Sequence, residues 1–344
     1  MAVGYVYNPI YLKHDTGQHV EVAARLEAIV SHLEQTGLKS QLTLIEPRPA
    51  SVEELSLVHQ KQYIEQVQEV AGRGGGWLDP DTVMSPESYD VALYAAGGVI
   101  RAVEAVMTGE VGSAFALVRP PGHHATSQQA KGFCLFNNIA IATQYALAKY
   151  NLERVLIIDF DVHHGNGTQA AFYDNPRVMY ISTHEYPFYP GTGSIEETGG
   201  RAAEGTTINI PLPAGCGDDE YLKVFEQIIV PAARQFNPQL ILVSAGSDLH
   251  WADPLAMMEV SVTGFGKIAG IIKGLADELC GGRLVFTLEG GYNLNALAAS
   301  VKATFDILLG NTSIDDPLGG SPRRFEAANI DRLIGAIKEI HKLS

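Results

Sequence analysis

Six side chains from four short segments have the types and spacing needed for hydrolytic chemistry. Asp161 and His163 stand two residues apart at the end of a predicted strand, where a period of two aims both to the same side. Asp248 ends another such run, so one imidazole and two carboxylates could converge. Three protein ligands with an open fourth position describe a catalytic metal site, because the open position holds a water whose pKa the ion lowers toward neutrality. His123 and His124 follow a Pro-Pro-Gly turn. Imidazole has the ordinary pKa of a base that could take that water's proton, and Asp159 could orient one of the rings. Tyr292 follows Glu289-Gly290-Gly291, a sharp turn that leaves its phenol projecting as a donor to an oxyanion. Singly, each residue has a duller reading, since aspartates cap helices, histidines pack in cores and the chain holds 14 tyrosines. Their joint position directly after strands carries the inference.

The elements that must place them can be read along the chain. Short apolar or β-branched runs at Val3–Tyr7, Leu42–Glu46, Ser113–Val118, Arg154–Asp159, Val178–Thr183, Thr206–Ile210, Leu240–Ala245 and Arg283–Leu288 predict about eight buried strands. Helix-period stretches at Ser88–Met107, Asn138–Tyr150, Asp219–Phe236, Gly264–Leu279 and Leu294–Leu309 are interspersed with them. Such alternation predicts a parallel sheet with helices on both faces, whose ligand crevice lies at the carboxyl ends of the strands. Gly72–Gly76 follows a helical pattern and Gly97–Gly98 sits inside one, so neither is a dinucleotide loop, and no GxxxxGK[ST] phosphate loop is present. Without a Pro/Ser linker, a charge block or a repeat, one domain is expected.

Composition narrows the function classes. The 344 residues carry 24 Lys plus Arg and 39 Asp plus Glu, a net charge of 24 − 39 = −15, with 46% hydrophobic and 18% charged residues. That excludes a disordered chain and a nucleic-acid binder with a basic stripe, and suits cationic small molecules or basic peptides. Cys134, Cys216 and Cys280 form neither a CxxC pair nor a disulfide framework, which points to a reducing compartment. With no signal-like N-terminus and no long apolar window, a cytoplasmic protein with no membrane partner is expected.

The motifs RPPGHHA, GFCLFNNIAIA, DFDVHHGNGTQ, YPGTG, AGSDLHWADPLA and LEGGYN occur in this order over most of the chain. Together they resemble the zinc-dependent histone deacetylase and acetylpolyamine amidohydrolase family. The stretch HDTGQHVEVAARL resembles that family's HDTGxHPExPxRL, with Val20 and Ala23 in place of two prolines near the pocket rim. The resemblance implies a single deacetylase domain over 1–344, in the α/β three-layer arginase/deacetylase fold with an approximately eight-stranded parallel sheet. It implies zinc on Asp161, His163 and Asp248, His123 as general base, and His124 as general acid or electrostatic partner. Asp159 and Asn166 would support those two histidines, and Tyr292 would polarise the acyl carbonyl. Asn166 and Glu289 are similar to the class II branch; an amide partner should leave His124 less basic than an aspartate would. Gly132 and Phe133 resemble the tunnel floor and one wall, with Tyr189 where a second wall phenylalanine is usual. Asp159 and Ser182 lie where the family binds K+ or another monovalent cation. Ser247 departs from the usual AGFD or AGYD beside the ligand Asp248, and a tuning effect is expected.

The expected reaction is hydrolysis of an N-acyl amide on acyl-lysine or a related linear aliphatic amine, with zinc or ferrous iron as the metal. Leu255 stands where polyamine-selective relatives can carry a glutamate, which favours acyl-lysine over acetylpolyamine unless Asp79, Asp81 or Glu185 supplies the missing charge. A binuclear manganese ureohydrolase would need bridging carboxylates in place of the His-His pair. A non-catalytic binder of acylated amines would not need His123, His124 and Tyr292 together. The sequence leaves the oligomeric state open.

Overall fold

The computed structural model describes residues 2–322, 325 and 328–343. Its strands in chain order are β1 (Val3–Val6), β2 (Thr43–Ile45), β3 (Gly76–Asp79), β4 (Thr82–Met84), β5 (Ser113–Ala116), β6 (Val155–Asp159), β7 (Val178–Glu185), β8 (Thr207–Leu212), β9 (Leu240–Ala245) and β10 (Leu284–Leu288). Eight of them form one all-parallel sheet in the order β2-β1-β5-β10-β9-β6-β7-β8, while β3 and β4 pair as a separate antiparallel hairpin. All residues of β1, β5, β6, β7, β9 and β10 are buried, so both faces of the sheet need helical cover. The helices Ala24–Gln35, Val262–Cys280 and Leu294–Leu309 pack together as one group, and Ser88–Met107 packs on Asn138–Lys149 as another. This is the single α/β domain with an eight-stranded parallel sheet that was expected, and its eight strands are the eight apolar runs.

The strand order positions the site. β9 and β10, the last strands in the chain, lie between β5 and β6. Thr287 pairs with Ala116, Leu288 with Ala245, and Ser244 with Asp159. The four segments that follow β5, β10, β9 and β6 therefore emerge side by side at the carboxyl edge, where open parallel sheets form their crevice.

As expected, the glycine cluster follows a helix, Lys61–Gly72; its last residue, Gly76, begins the β3–β4 hairpin, and Gly74, Gly75 and Gly76 are all at positive φ. One local expectation is corrected. The stretch predicted as one helix over Asp219–Phe236 is interrupted by a π-turn at Phe225–Ile229. Pro231 lies just beyond it, and a proline cannot donate to the carbonyl four residues back, so a wider turn accommodates it.

Gly97 and Gly98 are explained by close packing. A Cβ at Gly97 would lie 1.9 Å from the Arg48 carbonyl oxygen, and one at Gly98 would lie 2.5 Å from the Tyr11 hydroxyl. Alanine in a helix gains roughly 1 kcal/mol over glycine, but forcing atoms into a filled site costs typically about 1–3 kcal/mol. Gly97→Ala is therefore expected to be destabilising. Gly270→Ala, with no atom within 4 Å of its Cβ, is expected to stabilise. Urea-unfolding midpoints check the opposite signs; a stabilised Gly97→Ala would contradict the contact.

His59 is buried and works only as a neutral ring. Its Nδ1–H donates to the Thr126 carbonyl at 2.8 Å, and its Nε2 accepts the Asn137 N–H at 2.9 Å. Burial pushes its pKa from 6.5 down to about 4. Burial likewise pushes His14, His164 and His250 down to about 4. Between these values the unfolded chain binds protons that the folded chain refuses, so the stability contributed by these four histidines is complete above 6.5 and is lost as pH drops toward 4. Urea midpoints are measured across this window in the parent and in His59→Phe, and the variant's midpoint is expected to gain on the parent's as pH falls from 6.5 to 4; a constant difference would contradict the linkage.

Candidate active site

The site begins at the end of β6. Beyond Ile158 the chain alternates Asp159, Asp161 and His163, held in a tight turn. Asp159 Oδ1 accepts the Asp161 N–H at 3.2 Å, and Asp161 Oδ1 accepts the His163 N–H at 2.9 Å. Asp248, from the segment after β9, joins them, and candidate ligand atoms of Asp161, His163 and Asp248 all lie within 4.8 Å of one another. His163 Nδ1 is 3.1 Å from Asp161 Oδ1 and 3.2 Å from Asp248 Oδ2. Asp248 Oδ2 is buried and accepts no hydrogen bond, whereas Oδ1 takes the Val162 N–H at 3.1 Å.

These donors fit a divalent ion. Both carboxylates are fully buried, one oxygen is left without a hydrogen bond, and the space beside them is kept open by glycines. A Cβ at Gly290 would lie 2.0 Å from Asp248 Oδ2, and one at Gly246 would lie 2.1 Å from Asp161 Oδ2. Burial alone would push His163 down, but the Asp161 and Asp248 carboxylates beside its Nδ1 outweigh that and raise it to about 10. The field at this point favours a positive charge.

His123 and His124 come from the turn after β5, with ring centroids 4.0 Å apart. His123 Nδ1 faces Asp159 Oδ2 at 3.2 Å, and His124 Nδ1–H donates to Asn166 Oδ1 at 2.9 Å. Their environments push them apart. For His123, Asp161 and Asp159 outweigh burial and raise the ring to about 10. For His124, burial and the neighbouring His123 and His163 hold the ring well below its ordinary value. The low basicity of His124 thus comes first from burial, and its bond to Asn166 acts in the opposite direction.

Tyr292 enters from the segment after β10, turned by Gly291 at φ +118°. Its backbone N–H donates to Asp253 Oδ2 at 2.7 Å, and Asp253 also accepts from Asn293 and Leu255. Together with Asp81, Pro121, His123, His124, Gly132, Phe133, His163, Phe188, Tyr189, Leu255 and Gly290, it lines one pocket of about 220 Å³. Gly132 lies against His124, since a Cβ there would be 2.3 Å from the ring. Phe133 meets the Tyr292 ring edge-on at 5.8 Å, and Phe188 stacks on His163 at 5.5 Å. Ser182 pairs with Asp159 across β6 and β7, with its hydroxyl bonded to His184 Nδ1 at 2.9 Å.

Of the three acids considered for the mouth, only Asp81 reaches the pocket wall. Asp79 sits behind it in the hairpin, and Glu185 is buried, accepting the Met257 N–H at 3.0 Å. Val20 is exposed, and Ala23 precedes the helix Ala24–Gln35. Ser247 is buried, its N–H bonded to the Gly290 carbonyl at 3.0 Å.

Several supporting residues were not singled out by sequence reasoning. Glu289, noted only as a branch marker, takes the Gly122 and His123 N–H groups on Oε2 and the Ser244 hydroxyl on Oε1. Arg25 reaches the Glu289 and Gly291 carbonyls at 2.5 and 2.7 Å and pairs with Glu21, which also holds Arg119. Arg119 outweighs the burial of Glu21 and lowers its carboxyl to about 2. Phe188 carried only a weak signal, an aromatic beside Tyr189.

A parallel sheet with a candidate metal cluster and a histidine pair at its carboxyl edge has the groups that hydrolysis needs. Residues 19–308 match the histone deacetylase domain family. The chain belongs to the histone deacetylase family. It is 42% identical to "Histone deacetylase 10, chloroplastic" of Oryza sativa subsp. japonica, over 96% of this chain and 79% of the rice protein. It is 39% identical to "Histone deacetylase-like amidohydrolase" of Pseudomonas aeruginosa, over 92% of this chain and 82% of that one. The crystal structure of the HDA15 HD domain superposes with a TM-score of 0.89 at 34% identity, covering 99% of this chain and 95% of that one. Among the described residues, no helix is long and apolar enough to cross a membrane.

His163→Ala is expected to lose the stoichiometric divalent metal, because two carboxylates without the imidazole leave an incomplete site. Elemental analysis of the purified variant, with circular dichroism to verify folding, measures this. One metal per chain in the variant would contradict the ligand set.

Proposed function

We propose that this chain, acting as one deacetylase unit over residues 1–344, hydrolyses the N-acyl amide of acyl-lysine or a related linear aliphatic amine. The observation that carries the reading is that His163, clustered with Asp161 and Asp248, lines one pocket together with the His123–His124 pair and Tyr292. In this reading Asp161, His163 and Asp248 hold zinc or ferrous iron. When bound, such an ion supplies Lewis acidity and a water of lowered pKa.

The chain's own groups do the rest. Asp159 fixes His123 through Nδ1 and leaves Nε2 to take a proton. His124, fixed by Asn166, stands beside the leaving amine as general acid or electrostatic partner. Tyr292 donates its hydroxyl to the oxyanion that develops on the acyl group. Phe133, Phe188 and Tyr189 enclose the aliphatic chain above Gly132 and exclude water. K+ or a similar ion near Asp159 and Ser182 belongs to the same reading. So does a cytoplasmic setting, supported by three unpaired cysteines.

Leu255 at the pocket favours acyl-lysine and broad substrates over acetylpolyamine. Asp81 on the opposite count is committed to the protein, its Oδ1 accepting from Gly132 and Thr82, and Lys131 stands close to Asp79 beside it. Acetylpolyamine hydrolysis is the alternative, and the overall charge of −15 suits a polyamine and a basic peptide alike.

Tyr292→Phe is expected to keep its metal and lower kcat by about 10²–10³, the usual effect of losing one oxyanion donor. Steady-state kinetics on an acetyl-lysine peptide measures it, and an unchanged rate would make Tyr292 structural. With Leu255 at the rim, kcat/KM for acetylspermidine and for a neutral-tailed acetyl-lysine analogue is expected to agree within roughly tenfold, or about 1.4 kcal/mol of differential contact. Leu255→Glu is expected to shift the ratio toward the polyamine. A strong polyamine preference in the unmodified protein would favour the alternative.

A further inference from the structure

The wall of the pocket contains two successive residues in the left-handed region, Gly132 at φ +56° and Phe133 at φ +69°. Glycine adopts this conformation freely, whereas a bulky residue with a Cβ avoids it. Phe133 does not sit there unsupported. The Gly132 N–H donates to Asp81 Oδ1 at 3.1 Å, and the Phe133 N–H donates to Thr82 Oγ1 at 3.1 Å. The Thr82 hydroxyl in turn donates to the same Asp81 Oδ1 at 2.9 Å. Successive backbone N–H groups in a turn form a concavity suited to an anionic or oxygen acceptor, and the β3–β4 hairpin fills it with two side chains. Thr82 is fully buried, so its hydroxyl has no water to replace either partner.

The conformation held in this way decides where the Phe133 ring points. The ring meets Tyr292 edge-on at 5.8 Å and His19 at 4.5 Å, which closes one side of the pocket. An extended backbone at residue 133 would project the side chain in a different direction. The candidate metal ligands and both histidines lie on other segments; His124 meets the turn at Gly132, whose N–H is held by Asp81 and not by Thr82.

We propose that Thr82, with Asp81, is a positioning residue that clamps Gly132–Phe133 in the left-handed conformation and so sets how tightly the pocket grips a linear substrate chain. The proposal rests on the reading that this pocket takes an acyl-amine chain. Thr82 does not touch the reacting atoms. Its loss acts through Phe133, on substrate grip rather than on the chemical step.

The test uses Thr82→Val, Thr82→Ser, Phe133→Gly and the double variant Thr82→Val/Phe133→Gly, with two readouts. In thermal unfolding, Thr82→Val is expected to lower the midpoint in the parent protein and to lower it less in Phe133→Gly, where no Cβ resists the left-handed turn. Equal shifts in the two backgrounds would overturn the clamp. On an acetyl-lysine peptide, Thr82→Val is expected to raise KM about tenfold, the order of effect of a lost apolar pocket contact. In that variant kcat stays within about twofold, metal content is unchanged, and Thr82→Ser restores KM. A fall in kcat at unchanged KM, or no kinetic effect at all, would overturn the positioning role. Should Thr82→Val not fold, while Phe133→Gly restores folding to the double variant, the clamp stands; failure of both overturns it. If the parent protein hydrolyses no acyl-amine, the functional reading fails, and the unfolding comparison still judges the clamp.

Discussion

Four carboxylates, Asp159, Asp161, Asp248 and Glu289, are withdrawn from water at the carboxyl edge of the central strands. An ionised carboxylate in such a place costs several kcal/mol unless it is paired and hydrogen-bonded. Here much of the compensation comes from backbone N–H groups on other segments: Gly290 to Asp161, Val162 to Asp248, and Gly122 with His123 to Glu289. Because the compensating groups are main chain, satisfying the charges also fixes the loops. The glycines follow from the same constraint, since at Gly246 and Gly290 a side chain would stand where a carboxylate oxygen must be. Arg25 adds a second tier by holding the carbonyls of Glu289 and Gly291 from the N-terminal segment.

What could be read from the sequence follows from this physics. Parallel strands buried on both faces appear as continuous apolar runs, which made the inner strands recognisable; the edge strand β2, with Thr43 and Leu44 exposed, showed through its short apolar run alone, and the polar clusters after the central strands marked the edge where chemistry collects. The six reactive side chains were therefore legible as a set, and the structure gathers them in one place. The supports were not. Glu21, Arg25 and Arg119 are charged residues, which ordinarily face water, and nothing local announces that all three are fully buried together. Asp253 and Glu289 act on backbone groups that are distant or hidden in a turn, which side-chain spacing does not reveal.

The hairpin shows the same limit from another side. β3 and β4 are four and three residues long, with a polar turn and a glycine entry, too short for a period-two pattern to register. Yet Asp81 and Thr82 reach Gly132 and Phe133, 51 residues on. A turn that looks like a connector thus forms part of the pocket wall. Pro231 signals a break that the expected single helix over Asp219–Phe236 passed over, and the π-turn that absorbs it had no separate signature.

The order of the sheet also bears on how the protein is made. A nascent chain that has emerged as far as β8 holds two separate three-stranded pieces, β2-β1-β5 and β6-β7-β8, with the edges of β5 and β6 still unpaired. Unpaired strand edges and parallel pairing across long stretches of chain fold slowly and invite association with other chains. Only when β9 and β10 leave the ribosome can they slide between the two pieces and seal both edges. A ribosome stalled before that point releases a polypeptide lacking Asp248 and Tyr292 as well as the middle of its sheet. Half-made copies thus lack two of the candidate site residues and carry strand edges open to association.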